Sequence, residues 1–103
     1  MSINCDTIKF SSHAIKKMIA RGITDKAIIS VVQTGEIIEE YLDDIPYPSK
    51  LLLGWVDKQP IHAVIAQNVE MAECIVITTY KPDLKFWHDD LKTRRKLNEM
   101  RDL

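Results

Sequence analysis

Three histidines, one of them inside an apolar run, are the residues of this chain best suited to acid-base chemistry, because imidazole is the side chain that ordinarily titrates near neutral pH. His62 falls in IHAVIAQ, residues 61–67, where side chains alternate between two faces. Ile61, Ala63 and Ile65 point one way, and His62 points the other with Val64 and Ala66. In CIVITTY, residues 74–80, the same alternation puts Ile75, Ile77 and Thr79 on one side and Val76, Thr78 and Tyr80 on the other. If the Ile-bearing faces are covered, His62, Thr78 and Tyr80 share the opposite side. A structural histidine is the competing role for His62.

His13, Lys17 and Arg21 recur at intervals of four, so on a helix they form one polar stripe that could meet a phosphate. A solvated helix face would carry the same residues. Arg94 and Arg95, beside Lys92 and Lys96, offer forked donors suited to phosphate, or belong to a solvated run. Trp55 and Trp87 could stack on bases, although Trp55, inside LLLGWV, reads as core. No HxH, HExxH or CxxC spacing supports a metal, and no P-loop, GxSxG or GxGxxG motif supports nucleotide, serine-hydrolase or dinucleotide chemistry.

These residues need elements to position them. Ser11 or Ser12 can cap a helix that Gly22 ends, with Ala14, Ile15, Met18 and Ile19 as its apolar arc. A second helix begins near Thr24 or Asp25 and stops before Gly35, burying Ala27, Ile28, Val31 and Val32. GEIIEEYL then reads as a strand, followed by LLLGWV (51–56), IHAVIAQ (61–67) and CIVITTY (74–80). The expected fold is α+β: two N-terminal helices packed on a four-stranded antiparallel meander sheet. A short C-terminal helical or irregular tail follows Pro82, docking loosely or fraying.

A chain of 103 residues makes one domain, residues 1–103, with one core. Its two cysteines, Cys5 and Cys74, are far apart and imply neither a disulfide framework nor a zinc knuckle; Cys74 reads as a small core residue. The N-terminal segment carries no signal pattern and no apolar run approaches membrane length, so a cytoplasmic protein is expected. A net charge of −1 and a pI near 6.3 are low for a polyanion binder. The charge is segregated, however: a basic first quarter, an acidic stretch from Glu36 to Asp44, and a mixed, Lys/Arg-rich C-terminus. A basic cleft can therefore lie beside an acidic wall.

Taken in order, FSSHAIKKMIARGIT, GEIIEEYLDDIPYPSKLLLGW, KQPIHAVIA and ITTYKPDLKFWHDDLKTRR resemble a family of small bacterial proteins, domain of unknown function 4258. That family in turn resembles the barnase, EndoU, colicin and RelE-like ribonucleases, and its members often lie beside a zinc-finger protein similar to the antitoxin of MqsR-type systems. The resemblance implies a metal-independent endoribonuclease toxin with no cofactor, RNA as substrate and a small zinc-finger antitoxin-like protein as partner. It maps onto His13, Arg21, His62, Tyr80, Trp87, Arg94 and Arg95. His62 would be acid or base, His13 or Tyr80 its counterpart, and Arg21, Lys17 and Arg94 or Arg95 would stabilise the phosphorane. A non-catalytic protein-binding module of the same fold is the alternative.

Overall fold

A computed structural model of the chain describes residues 3–96 and residue 98. Seven elements follow in the order β1 (Thr7–Phe10), α1 (Ser12–Arg21), α2 (Asp25–Thr34), β2 (Glu36–Tyr41), β3 (Ser49–Val56), β4 (Gln59–Asn68) and β5 (Glu73–Tyr80). They build a five-stranded mixed sheet of order β1-β5-β4-β3-β2. The strands β2 to β5 pair antiparallel in succession, but β1 pairs parallel to β5, from Thr7↔Glu73 to Phe10↔Val76. The expected four-stranded antiparallel meander with N-terminal helices is thereby corrected: a strand precedes the helices and makes the sheet mixed. Its sequence, TIKF, alternates exposed and half-buried residues and finds its partner more than sixty residues away.

Both helices start where a hydroxyl replaces a missing backbone partner. Ser11 accepts from the Ala14 N–H, and Thr24 from the Ala27 N–H. Gly22 closes α1 at φ +66°, the left-handed conformation that glycine adopts without strain. Ser11 also ties α1 to the sheet, because its hydroxyl donates to the Ile77 carbonyl at 2.8 Å and its N–H to the Val76 carbonyl at 3.0 Å.

α2 buries Ala27, Ile28, Val31 and Val32 against the sheet, over a glycine whose absent side chain permits the approach. A Cβ on Gly54 would stand 2.7 Å from a Val31 methyl. α1 packs less broadly than its pattern predicts: Ala14 and Met18 are buried, whereas Ile15 is 46% and Ile19 77% exposed. It lies against β5 near the sheet edge, where only a narrow seam of the helix finds a neighbour.

The register of β5 breaks once. Val64 pairs with Thr78 but Ile65 with Val76, so Ile77 is the extra residue of a bulge. Cys74 and Val76 therefore join the helix-side core, while Thr78 and Tyr80 sit opposite Val64 and His62 on the other face.

That second face is covered too. Residues 81–95 cross it as an irregular strap and seat Trp87 (2% exposed) and Leu91 (8%) against Leu51 and Leu53, with Ile38, Tyr41 and Val64 around them. The loosely docked tail expected after Pro82 is instead a packed layer as far as Arg95. Residues 97 and 99–103 of that tail lie outside the described residues. The tryptophans exchange the places assigned from sequence: Trp55 is 58% exposed and Trp87 is core.

Cys5 and Cys74 are joined by a disulfide, their Cα atoms 5.6 Å apart. The sequence expectation of no disulfide is corrected, and it fails because β1 lies beside β5 and brings together residues 69 apart.

Candidate functional site

The strap face holds a continuous polar chain. His62, on β4, is fully buried; Leu53 on β3 and Tyr80 on β5 flank it in register. Its Nε2 lies 2.7 Å from the Leu91 carbonyl and its Nδ1 3.2 Å from the Tyr80 hydroxyl. A carbonyl only accepts, so the Nε2 nitrogen carries the proton and donates. Nδ1 in the neutral ring is then an acceptor, and the Tyr80 hydroxyl must donate to it. Trp87 meets the imidazole edge-on at 4.5 Å and Tyr80 at 5.2 Å.

Burial lowers the His62 pKa, the charged form having lost its water; Arg94 lowers it further, while the Leu91 carbonyl and Glu39 pull the other way. The ring is accordingly neutral around pH 7, the state in which Nδ1 accepts from the Tyr80 hydroxyl. Burial likewise raises the Tyr80 phenol above its ordinary value.

The strap is fastened by the arginines expected to hold phosphate. Arg94 lies over the Trp87 ring at 4.6 Å and donates through Nε to both Glu39 carboxylate oxygens, at 2.9 and 3.2 Å, and through its terminal nitrogen to the Tyr41 hydroxyl. Tyr41 in turn donates to Glu39. Burial alone would raise the Glu39 carboxyl, but the bonds from Tyr41 and Arg94 outweigh it and hold the carboxyl below its usual range. Arg95 donates to the carbonyls of Leu84 and Trp87 and faces Asp89 at 3.7 Å. Lys92 pairs with Glu36 at 2.9 Å. The acidic stretch seen in the sequence is thus the landing strip of the basic C-terminal run rather than a wall beside a cleft.

The α1 stripe is disposed differently. His13 is exposed, and its Nε2 shares a hydrogen bond of 3.1 Å with the Thr78 hydroxyl on the strap-side face of β5. Lys17 is half-buried and Arg21 exposed, and among the described residues neither they nor Lys16 forms an ion pair. β1 ends opposite Val76, so among the described residues no strand pairs with the outer side of residues 77–80.

The structure thus brings His13, Thr78, Tyr80 and His62 to one end of β5. Trp87, Arg94 and Arg95 lie behind them in the strap, and Lys17 and Arg21 continue along α1. Sequence reasoning missed the Leu91 carbonyl and the Glu39–Tyr41 pair. The spacing Glu39-x-Tyr41 places both on one face of a strand and was the available signal. Among the described residues no group of three or more His, Cys, Asp or Glu side chains is placed to hold a metal ion, and no helix is long and apolar enough to cross a membrane.

A family model described as a domain of unknown function (DUF4258) matches residues 10–81, which span β1's last residue through the end of β5. The chain belongs to that family. No curated protein and no solved structure matches it.

Proposed function

We propose that the chain is a metal-independent endoribonuclease of the barnase, EndoU, colicin and RelE-like kind, acting as the toxin of a toxin–antitoxin pair with a small zinc-finger protein. The observation that carries this reading is the His13–Thr78 hydrogen bond, which sets the basic stripe of α1, without an ion pair among the described residues, beside the strand bearing the Tyr80–His62 pair. Residues 78 and 80 lie on one face, about 7 Å apart at the usual strand rise, a spacing suited to groups on either side of one phosphodiester.

In the reaction, the Tyr80 oxygen takes the 2′-OH proton while its own proton passes to Nδ1 of His62. The 2′ oxygen attacks the phosphorus, the bond to the 5′ oxygen breaks, and His13 protonates that oxygen. The products are a 2′,3′-cyclic phosphate and a 5′-hydroxyl. Lys17 and Arg21 stabilise the negative charge that builds on the phosphorane. Arg94, Arg95 and Trp87 serve the strap in this reading. As for localisation, the Cys5–Cys74 bond speaks for an oxidising environment at some stage of the chain's life, because cytosolic thiols are held reduced.

The test is cleavage of end-labelled mixed-sequence RNA with a chelator present. The wild-type chain yields cyclic-phosphate ends, and His13→Ala and Tyr80→Phe each lose about a hundredfold or more in rate. Absence of turnover above the protein-free background overturns the proposal. The exposed Ile15 and Ile19 on α1 favour a second reading, a non-catalytic protein-binding module, which a stable complex with the partner and no RNA cleavage would support.

A further inference from the structure

The Tyr80–His62 pair works as a base only if the Tyr80 proton points inward, and that direction is decided outside the pair. Leu91 supplies the deciding group, and its backbone is held in an unusual state to do so. Its φ is +61°, a left-handed conformation that a leucine seldom adopts. This turn lets one residue bury its side chain beside Leu51 and Leu53 while its carbonyl meets Nε2 of His62.

What holds the turn is Asp90, an exposed residue. Its carboxylate accepts from the Lys92 N–H at 2.9 Å, the Thr93 N–H at 3.0 Å and the Thr93 hydroxyl at 2.8 Å. These bonds keep its pKa at about 2, with the Lys92 backbone contributing most. On the other flank of the turn, His88 donates its N–H to the Thr93 carbonyl and Leu91 its N–H to the His88 carbonyl. The segment 88–93 is therefore a closed loop, pinned by one carboxylate, that presents one carbonyl.

We propose that Asp90 and the Leu91 carbonyl are positioning groups for Tyr80: the Asp90-pinned turn fixes the His62 tautomer, and the tautomer fixes the direction of the Tyr80 proton. The role of Tyr80 as a base rests on the ribonuclease reading above; the tautomer does not. The groups facing His62 are Tyr80 from β5, Glu39 from β2 and Arg94 from the strap, with Tyr41 bonded to both of the latter. None of these four side chains bonds to Nε2, which is left to the Leu91 carbonyl. Without that carbonyl the ring could carry its proton on Nδ1, donate to the Tyr80 oxygen, and fill the lone pair that must receive the 2′-OH proton.

The experiment is a long-range proton–nitrogen spectrum of the His62 ring in the full, 15N-labelled chain at pH 7.5, with no RNA present. The expected result is a neutral ring protonated at Nε2 alone. Asp90→Ala, a surface change, should introduce a second, Nδ1-protonated population and lower the kcat of RNA cleavage about tenfold or more with little change in KM. Asp90→Asn, whose amide oxygen can still accept from Lys92 and Thr93, should restore both. A wild-type ring protonated at Nδ1, or an Asp90→Ala spectrum identical to wild type, overturns the inference. If the spectra behave as expected but the wild-type chain cleaves no RNA, the ribonuclease reading falls while the positioning of the Tyr80 proton stands.

Discussion

Replacing each tryptophan in turn by alanine tests whether the strap is part of the core. Trp87 is 2% exposed, so nearly the whole of a side chain of roughly 200 Å² leaves water on folding. At about 25 cal/mol per Å² that corresponds to about 5 kcal/mol. Residual compactness of the denatured chain reduces the figure to about 3–4 kcal/mol. The Arg94 guanidinium over the ring is mostly exposed and adds at most about 1 kcal/mol. Trp55 is 58% exposed, and the same arithmetic gives it under about 2 kcal/mol. In urea, at a mid-range slope of about 2 kcal/mol per M, Trp87→Ala should lower the unfolding midpoint by roughly 2 M and Trp55→Ala by no more than about 1 M. Because the chain has only these two tryptophans, each variant also isolates the other's fluorescence. Trp55→Ala should leave a blue-shifted emission shielded from acrylamide, and Trp87→Ala a red-shifted, readily quenched one. Equal costs, or the larger cost at Trp55, would refute the packed strap.

Reduction of the Cys5–Cys74 bond, which spans 69 residues, should remove about 4 kcal/mol by the chain-entropy estimate; unfolding curves with and without reductant check it, and a loss below about 1 kcal/mol would count against the bond. Stability should also fall on mild acidification. His62 has a lowered pKa when folded, so below about pH 6.5, the ordinary histidine value, the unfolded chain binds a proton that the folded chain refuses. The stability present above that pH is lost progressively as pH drops toward the folded value, and His62→Gln should flatten that part of the curve.

Much of the local structure was legible in the sequence because local chemistry decides it. Ser11, Gly22 and Thr24 mark the helix ends through caps that involve only near neighbours, and the apolar spacing of α2 identifies its four buried residues. The alternation around His62 and Tyr80 identified their shared face correctly. Thr78 and Thr79 also fall on the expected sides, but Ile75 and Val76 fall on the opposite ones because the bulge at Ile77 resets the alternation. β1 is four residues long and parallel to a distant strand, so neither a hairpin turn nor a long pattern announces it. The disulfide depends on that pairing and was hidden with it. Alternation divides a strand's residues between two faces, but it does not reveal that an aperiodic segment, residues 81–95, will return to cover one of them. For that reason Trp55 reads as core in the sequence, and the internal partners of Trp87, Arg94 and Arg95 are not legible there.

The Cys5–Cys74 bond also changes how the polypeptide can be handled as a thread. Oxidised, residues 5–74 form a closed ring of main chain, sealed by the bond between Cys5 and Cys74. A machine that pulls the chain through a single-file pore from either direction meets this ring even when every hydrogen bond is already broken. Linear passage across a membrane, or processive degradation through a narrow channel, therefore has to occur before the bond forms or after it is reduced.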